Sequence, residues 1–160
     1  SPPPPVQLAS TIDALRAALA AIPEGGLGWL QLVGGQRYAL AGDQLAIRAG
    51  TAVRLFSEGE AAILDAEGLS RVFDVAGEVH LAHLSMVNAH LGMANGDAVR
   101  GGAIFVHDHA QASLDDVTFT NVTVSGYDVV GGLLYASPHA RAELINVAIS
   151  TVHIFAANNL

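Results

Sequence analysis

Seven histidines and fifteen carboxylates are the residues of this chain best suited to chemistry, and a few of them fall at telling spacings. His107-Asp108-His109 is one tight cluster, and His139 lies 30 residues beyond His109. On a strand, side chains two apart share a face. If the 30-residue shift is a structural repeat, His139 sits one layer from His109, about 4.8 Å away in a parallel sheet. Three imidazoles brought together in this way could hold zinc or copper. The plainer reading, and the preferred one, is a polar corner whose histidines face solvent, so no metal or other cofactor is expected.

A second set is His83, Asp116 and Asn146, with Asp115 alongside. Carboxylates next to a histidine could perform acid–base chemistry on a glycosidic bond. Asp115-Asp116 reads more simply as the solvated end of a turn, so catalysis by Asp115, Asp116 and His83 is the alternative and not the leading expectation. Asn88 and Asn121 align at the next corner, with Thr151 as the third member. Asparagines stacked at a corner usually satisfy turn backbone groups. Asn121-Val122-Thr123 also matches the N-glycosylation acceptor pattern. A glycan on Asn121 requires an outward side chain, which is set against a buried ladder.

The elements that must position these residues follow from periodicity. Ser1 and four prolines, with the residues up to 9, read as the end of a proline-rich linker. Ser10 is the expected N-cap of a single helix. Ile12, Leu15, Leu19 and Ile22 give that helix one apolar face, and Pro23 with Gly25-Gly26 stops it. From Trp29 the period turns strand-like, with a glycine about every nine residues marking corners. The second half repeats openly. Gly101-Gly102-Ala103-Ile104-Phe105 returns as Gly131-Gly132-Leu133-Leu134-Tyr135, Leu114 as Leu144, and Val117 as Val147. A shift of 33 likewise takes Leu81 to Leu114, Met86 to Phe119 and Asn88 to Asn121. Strand repeats of this length, with no helix inside the unit, predict a solenoid in which each unit buries its apolar face on its copies. The expected fold is all-β: a right-handed parallel β-helix of about five coils over residues 10–160, capped by one N-terminal α-helix.

Several spaced elements also carry a resemblance. The helix Ile12-Asp13-Ala14-Leu15, then Gly28-Trp29-Leu30-Gln31-Leu32, Ala61-Ala62-Ile63-Leu64-Asp65 and Val79-His80-Leu81-Ala82-His83-Leu84 follow one another in that order. The order resembles the N-terminal half of pectate-lyase-like right-handed β-helix proteins. Gly101-Gly102-Ala103-Ile104 and Phe119-Thr120-Asn121 resemble the repeats of polymorphic outer-membrane-type surface proteins. The resemblance implies the fold; for function it implies little, since lyases, hydrolases, adhesins and inert fibres share it. Sugar-cleaving members would be expected to carry acidic residues with Arg or Lys on an open strand face. Lysine is absent from this chain, and Arg100 and Arg141 fall near corners.

Composition narrows the partners. A net charge of -8 repels phosphate backbones and anionic lipid heads, so neither nucleic acid nor membrane insertion is expected. Two long corners, 89–100 and 122–130, should leave the same edge of the solenoid and offer Asn95, Asp97, Arg100, Tyr127 and Asp128 as a binding surface, with polysaccharide a candidate ligand. The final residues from Val152 to Leu160 bring no polar cap, so the last coil should meet another subunit or the remainder of a longer chain. Together these features predict a non-enzymatic, extracellular or cell-surface structural module used in adhesion or assembly. The alternative is a carbohydrate-active enzyme, a polysaccharide lyase or hydrolase.

Overall fold

The computed structural model describes residues 2–92, 98–126 and 128–156. Strand β1 (Val6–Ala9) precedes the helix α1 (Ile12–Ala21). The first turn of the solenoid is β2 (Leu27–Leu32), β3 (Arg37–Ala39) and β4 (Leu45–Ile47), and the second is β5 (Ala52–Ser57), β6 (Ala62–Asp65) and β7 (Phe73–Val75). The third is β8 (Glu78–Val87), β9 (His90–Gly92), β10 (Ala98–Arg100) and β11 (Ile104–Val106). The fourth is β12 (Gln111–Thr120), β13 (Val122–Gly126), β14 (Asp128–Val130) and β15 (Leu134–Ala136). A partial layer of β16 (Arg141–Ile145), β17 (Ala148–Ile149) and β18 (Val152–Ala156) lies on the fourth.

Every strand pairing is parallel, and neighbours in each sheet come from successive layers. The fold is therefore an all-β parallel solenoid, of about four turns where the repeat count suggested five. The difference lies in the ends. The layer before β2 is the single strand β1, and the layer after β15 is not a full turn. The solenoid sheet also starts inside the segment read as linker, since Val6–Ala9 pairs with Trp29–Leu32. Pro2 to Pro5, which lack the N–H a ladder needs, precede it.

Repeat register lines up like with like. Leu30, Leu55, Leu81 and Leu114 form one inward row, each at most 1% exposed. Met86 and Phe119 form another inward pair, as do Phe73 and Ile104. The helix closes the first turn by burying Leu15, Ala18 and Leu19. Its N-cap is Thr11 and not Ser10: Thr11 is extended, and its hydroxyl accepts from the Ala14 N–H at 3.0 Å. Ser10 instead offers its carbonyl to Gln36. Two arginines, Arg16 on the helix and Arg48 on a corner of the first turn, hold the helix down. Arg16 donates to the carbonyls of Leu40 and Asp43, and Arg48 donates to those of Ala20 and Ile22, which no further helical turn would satisfy. No helix among the described residues is long and apolar enough to cross a membrane.

Candidate functional site

The chemistry-bearing side chains sit on three stacks of corners, and each stack turns on residues in the left-handed region. In the first stack, Arg48-Ala49-Gly50-Thr51, His107-Asp108-His109-Ala110 and Ser137-Pro138-His139-Ala140 are copies of one turn. Each is closed by a hydrogen bond from its fourth residue's N–H to its first residue's carbonyl. The third residue has a positive φ in all three: 76° at Gly50, 63° at His109 and 62° at His139. Histidine tolerates this conformation better than most side chains, but glycine adopts it without steric cost.

The repeat therefore does bring His109 and His139 together, with ring centroids 5.1 Å apart and nearly parallel planes. The carboxylate between them is Asp108, whose two oxygens lie 3.1 Å from Nδ1 of His109 and 3.1 Å from Nδ1 of His139. His107 is not part of this cluster. Strand β11 ends at Val106, so alternation along a strand does not extend to residue 109. His107 turns back instead, its Nε2 2.8 Å from the Asp74 carboxylate and its ring edge-on to Phe105. Asp108, His109 and His139 are all exposed, and their donor atoms lie within 4.8 Å of one another.

In the second stack, strands β8 and β12 bend at His83 and Asp116, with φ of 55° and 54°. Asn146, with φ 51°, repeats the bend between β16 and β17. Nδ1 of His83 lies 2.5 Å from Oδ2 of Asp116, and its Nε2 lies 2.6 Å from the Gly59 carbonyl. Both ring nitrogens thus face acceptors. The Asp116 hydrogen bond first, and the Gly59 carbonyl second, raise the His83 pKa above its ordinary value. An imidazole committed on both sides is poorly placed to accept a substrate proton. Asp115 stands apart on the outer face of β12, level with Ala82 and Ile145, and among the described residues it makes no hydrogen bond to His83 or Asp116.

The third stack is the asparagine ladder. Asn121 donates to Oδ1 of Asn88 at 2.8 Å, and Asn88 donates to Oδ1 of Asp65 at 3.1 Å. Asp65, only 4% exposed, also accepts from the Glu67 N–H and from Arg37. Burial alone would raise its pKa, but these donors together hold it below the ordinary carboxylate value. Thr151 completes the stack through the backbone, its carbonyl accepting from the Val122 N–H. Asn121 is exposed while it is in the ladder, so an outward side chain and a stacked one coexist at this corner.

Of the loop residues, Asn95, Asp97 and Tyr127 lie outside the described residues. The two stretches expected as long corners do lie in register, but as strands of the solenoid: β9 pairs with β13, and Ala98–Arg100 pairs with Asp128–Val130. Asp128 is exposed there. Arg100 is occupied with the fold: its guanidinium lies over the Tyr135 ring at 5.2 Å, and its carbonyl accepts from Arg71.

A further feature is the outer face of the long sheet. Register sets Trp29, Arg54, His80, Ser113 and Glu143 in one outward row, beside Leu27, Ala52, Glu78, Gln111 and Arg141. Apart from Trp29, the residues of these two rows line an open groove of about 440 Å³. Arg54 lies over the Trp29 ring at 5.4 Å. The signal was present as strand alternation combined with the repeat shift, but the shift varies from layer to layer and hides the row.

No family model, no curated protein and no solved structure matches this chain.

Proposed function

We propose that the chain is a non-catalytic structural module of an extracellular or cell-surface assembly, with its last layer covered by a further parallel β-layer. The observation that carries this reading is the exposure of core positions in the final layer. Leu144 is 46% exposed, Ile149 53% and Ile154 54%, whereas their register partners Leu114, Phe119 and Val124 are fully buried. Apolar rows bordered by unpaired strand edges favour the addition of another strand layer. A second subunit or a further length of polypeptide would supply that layer equally well.

Light scattering on the 160-residue chain over a range of concentrations tests the reading. Association is expected, and it should disappear when Leu144→Asp and Ile154→Asp are combined. A monomer at every concentration, or association indifferent to both charges, overturns it.

The groove on the long sheet favours a second reading, a carbohydrate-active enzyme. Two carboxylates, one imidazole and two guanidiniums line it: Glu78, Glu143, His80, Arg54 and Arg141. Release of reducing ends from acidic or neutral polysaccharides, abolished by Glu143→Gln, would replace the structural reading with this one.

A further inference from the structure

We propose that Asp108, His109 and His139 form a surface site for a borderline divalent transition-metal ion, Zn²⁺ or Cu²⁺, that clips the third turn of the solenoid to the fourth. Two imidazole nitrogens and one carboxylate already converge at a single corner, with the Asp108 oxygens 3.1 Å from each Nδ1. Donors sharing one Zn²⁺ at about 2.0–2.1 Å stand roughly 3.4 Å apart in a tetrahedron. The three donor atoms span no more than 4.8 Å, so small rotations of exposed side chains bring them onto a common ion. The nitrogen-rich set selects zinc or copper, while calcium and magnesium require oxygen ligands. Three protein ligands leave the remaining coordination positions open to water.

The backbone supplies an independent argument. His109 and His139 occupy the left-handed position that glycine fills at Gly50 in the first turn's copy of the same corner. Stability alone would place glycine there again, and strained side chains retained in register are a mark of sites used for something else. His109 and His139 belong to successive layers, so an ion held by both would link those layers directly.

The same backbone argument yields a clean test. Because Gly50 already closes an equivalent corner, His109→Gly and His139→Gly should fold, and should melt slightly higher than the parent in the absence of metal. Calorimetric titration of tag-free protein with ZnCl₂ at pH 7.5 is expected to give one site of micromolar affinity, silent to MgCl₂, together with a rise in melting temperature. Either glycine variant should weaken binding at least tenfold, as should Asp108→Asn. His107→Ala, whose ring is engaged with Asp74, should leave it unchanged. Absence of zinc binding at 100 μM overturns the proposal. So does binding that survives both glycine variants, and so does binding lost with His107→Ala alone.

Discussion

Nδ1 of His83 lies 2.5 Å from Oδ2 of Asp116, a residue 33 positions further on, and the other ring nitrogen lies 2.6 Å from the carbonyl of Gly59. One imidazole therefore ties three successive layers together at a corner. Neutral imidazole has one N–H and can donate to only one of these acceptors, while imidazolium donates to both. This is why the folded state holds the proton more tightly than the unfolded chain.

A raised folded-state pKa fixes the sign of the pH dependence. The stabilisation is complete below the unfolded value of about 6.5 and is lost as pH rises through the higher folded value. Urea midpoints measured from pH 5.5 to 9 should fall over that upper range. Asp116→Asn keeps a residue that accepts the left-handed backbone and removes the charge, so it should flatten the slope. The Asp116 carboxylate is mostly exposed, which limits the effect to at most about 1 kcal/mol. An unchanged slope in the variant would refute this role.

Asp65 shows the opposite sign. Its lowered pKa means that its stabilisation is present above the unfolded value of about 3.9 and is lost as pH falls through the folded value. Asp65→Ala should cost about 2–4 kcal/mol, because the Glu67 N–H and the Asn88 amide lose their acceptor in a partly buried site. Asp65→Asn keeps the shape and part of the acceptor capacity, so about 1 kcal/mol is expected. Chemical denaturation at pH 7 and pH 3.5 checks both, and the difference between wild type and Asp65→Asn should shrink at the lower pH.

What could be read from the sequence, and what could not, divides along one physical line. Rows such as Leu81 and Leu114, and the pairing of His109 with His139, follow from repeat shift alone because a parallel solenoid stacks equivalent positions. The Asn88–Asn121 contact was legible for the same reason. Direction at a corner was not. Strand alternation groups His107 with His109, but the strand ends at Val106, His109 itself is left-handed, and Asp108 takes the place of His107 in the cluster. The Trp29–Arg54–His80 row is hidden in the sequence because the first layers are shorter than the later ones, which breaks a constant shift. Val6–Ala9 reads as linker because the four prolines before it dominate the local composition, while its strand partner is distant in sequence.

The leucine row offers a graded measurement of how the ends differ from the middle. Leu81 is fully buried between Leu55 and Leu114, so Leu81→Ala should cost about 2–5 kcal/mol with the cavity it leaves. Leu144 continues the same row with one neighbouring layer and 46% exposure, and Leu144→Ala should cost less than about 1 kcal/mol. Urea unfolding of both variants decides the matter. Equal losses would mean that the last layer is as well packed as the third, and the proposed covering layer would have nothing to cover.

Two glycines separate close approach from backbone conformation. A Cβ on Gly77 would press into the carbonyl oxygens of Arg48 and Thr51 in the turn beneath, the first fixed by hydrogen bonds from the Thr51 N–H and hydroxyl and the second by one from the Glu78 N–H. Because the obstacle is backbone, Gly77→Ala should force the two layers apart, at about 3 kcal/mol or more. Gly68 has φ 71° and open space around the position of a Cβ, so Gly68→Ala should cost only the left-handed penalty of about 1 kcal/mol. Asparagine at Gly68 should recover part of that loss, since its side chain tolerates the conformation, whereas asparagine at Gly77 should be worse than alanine. Melting temperatures of the four variants test the ordering. A Gly77→Ala protein as stable as Gly68→Ala would show that the layers are not in contact where the corner between β7 and β8 is shortest.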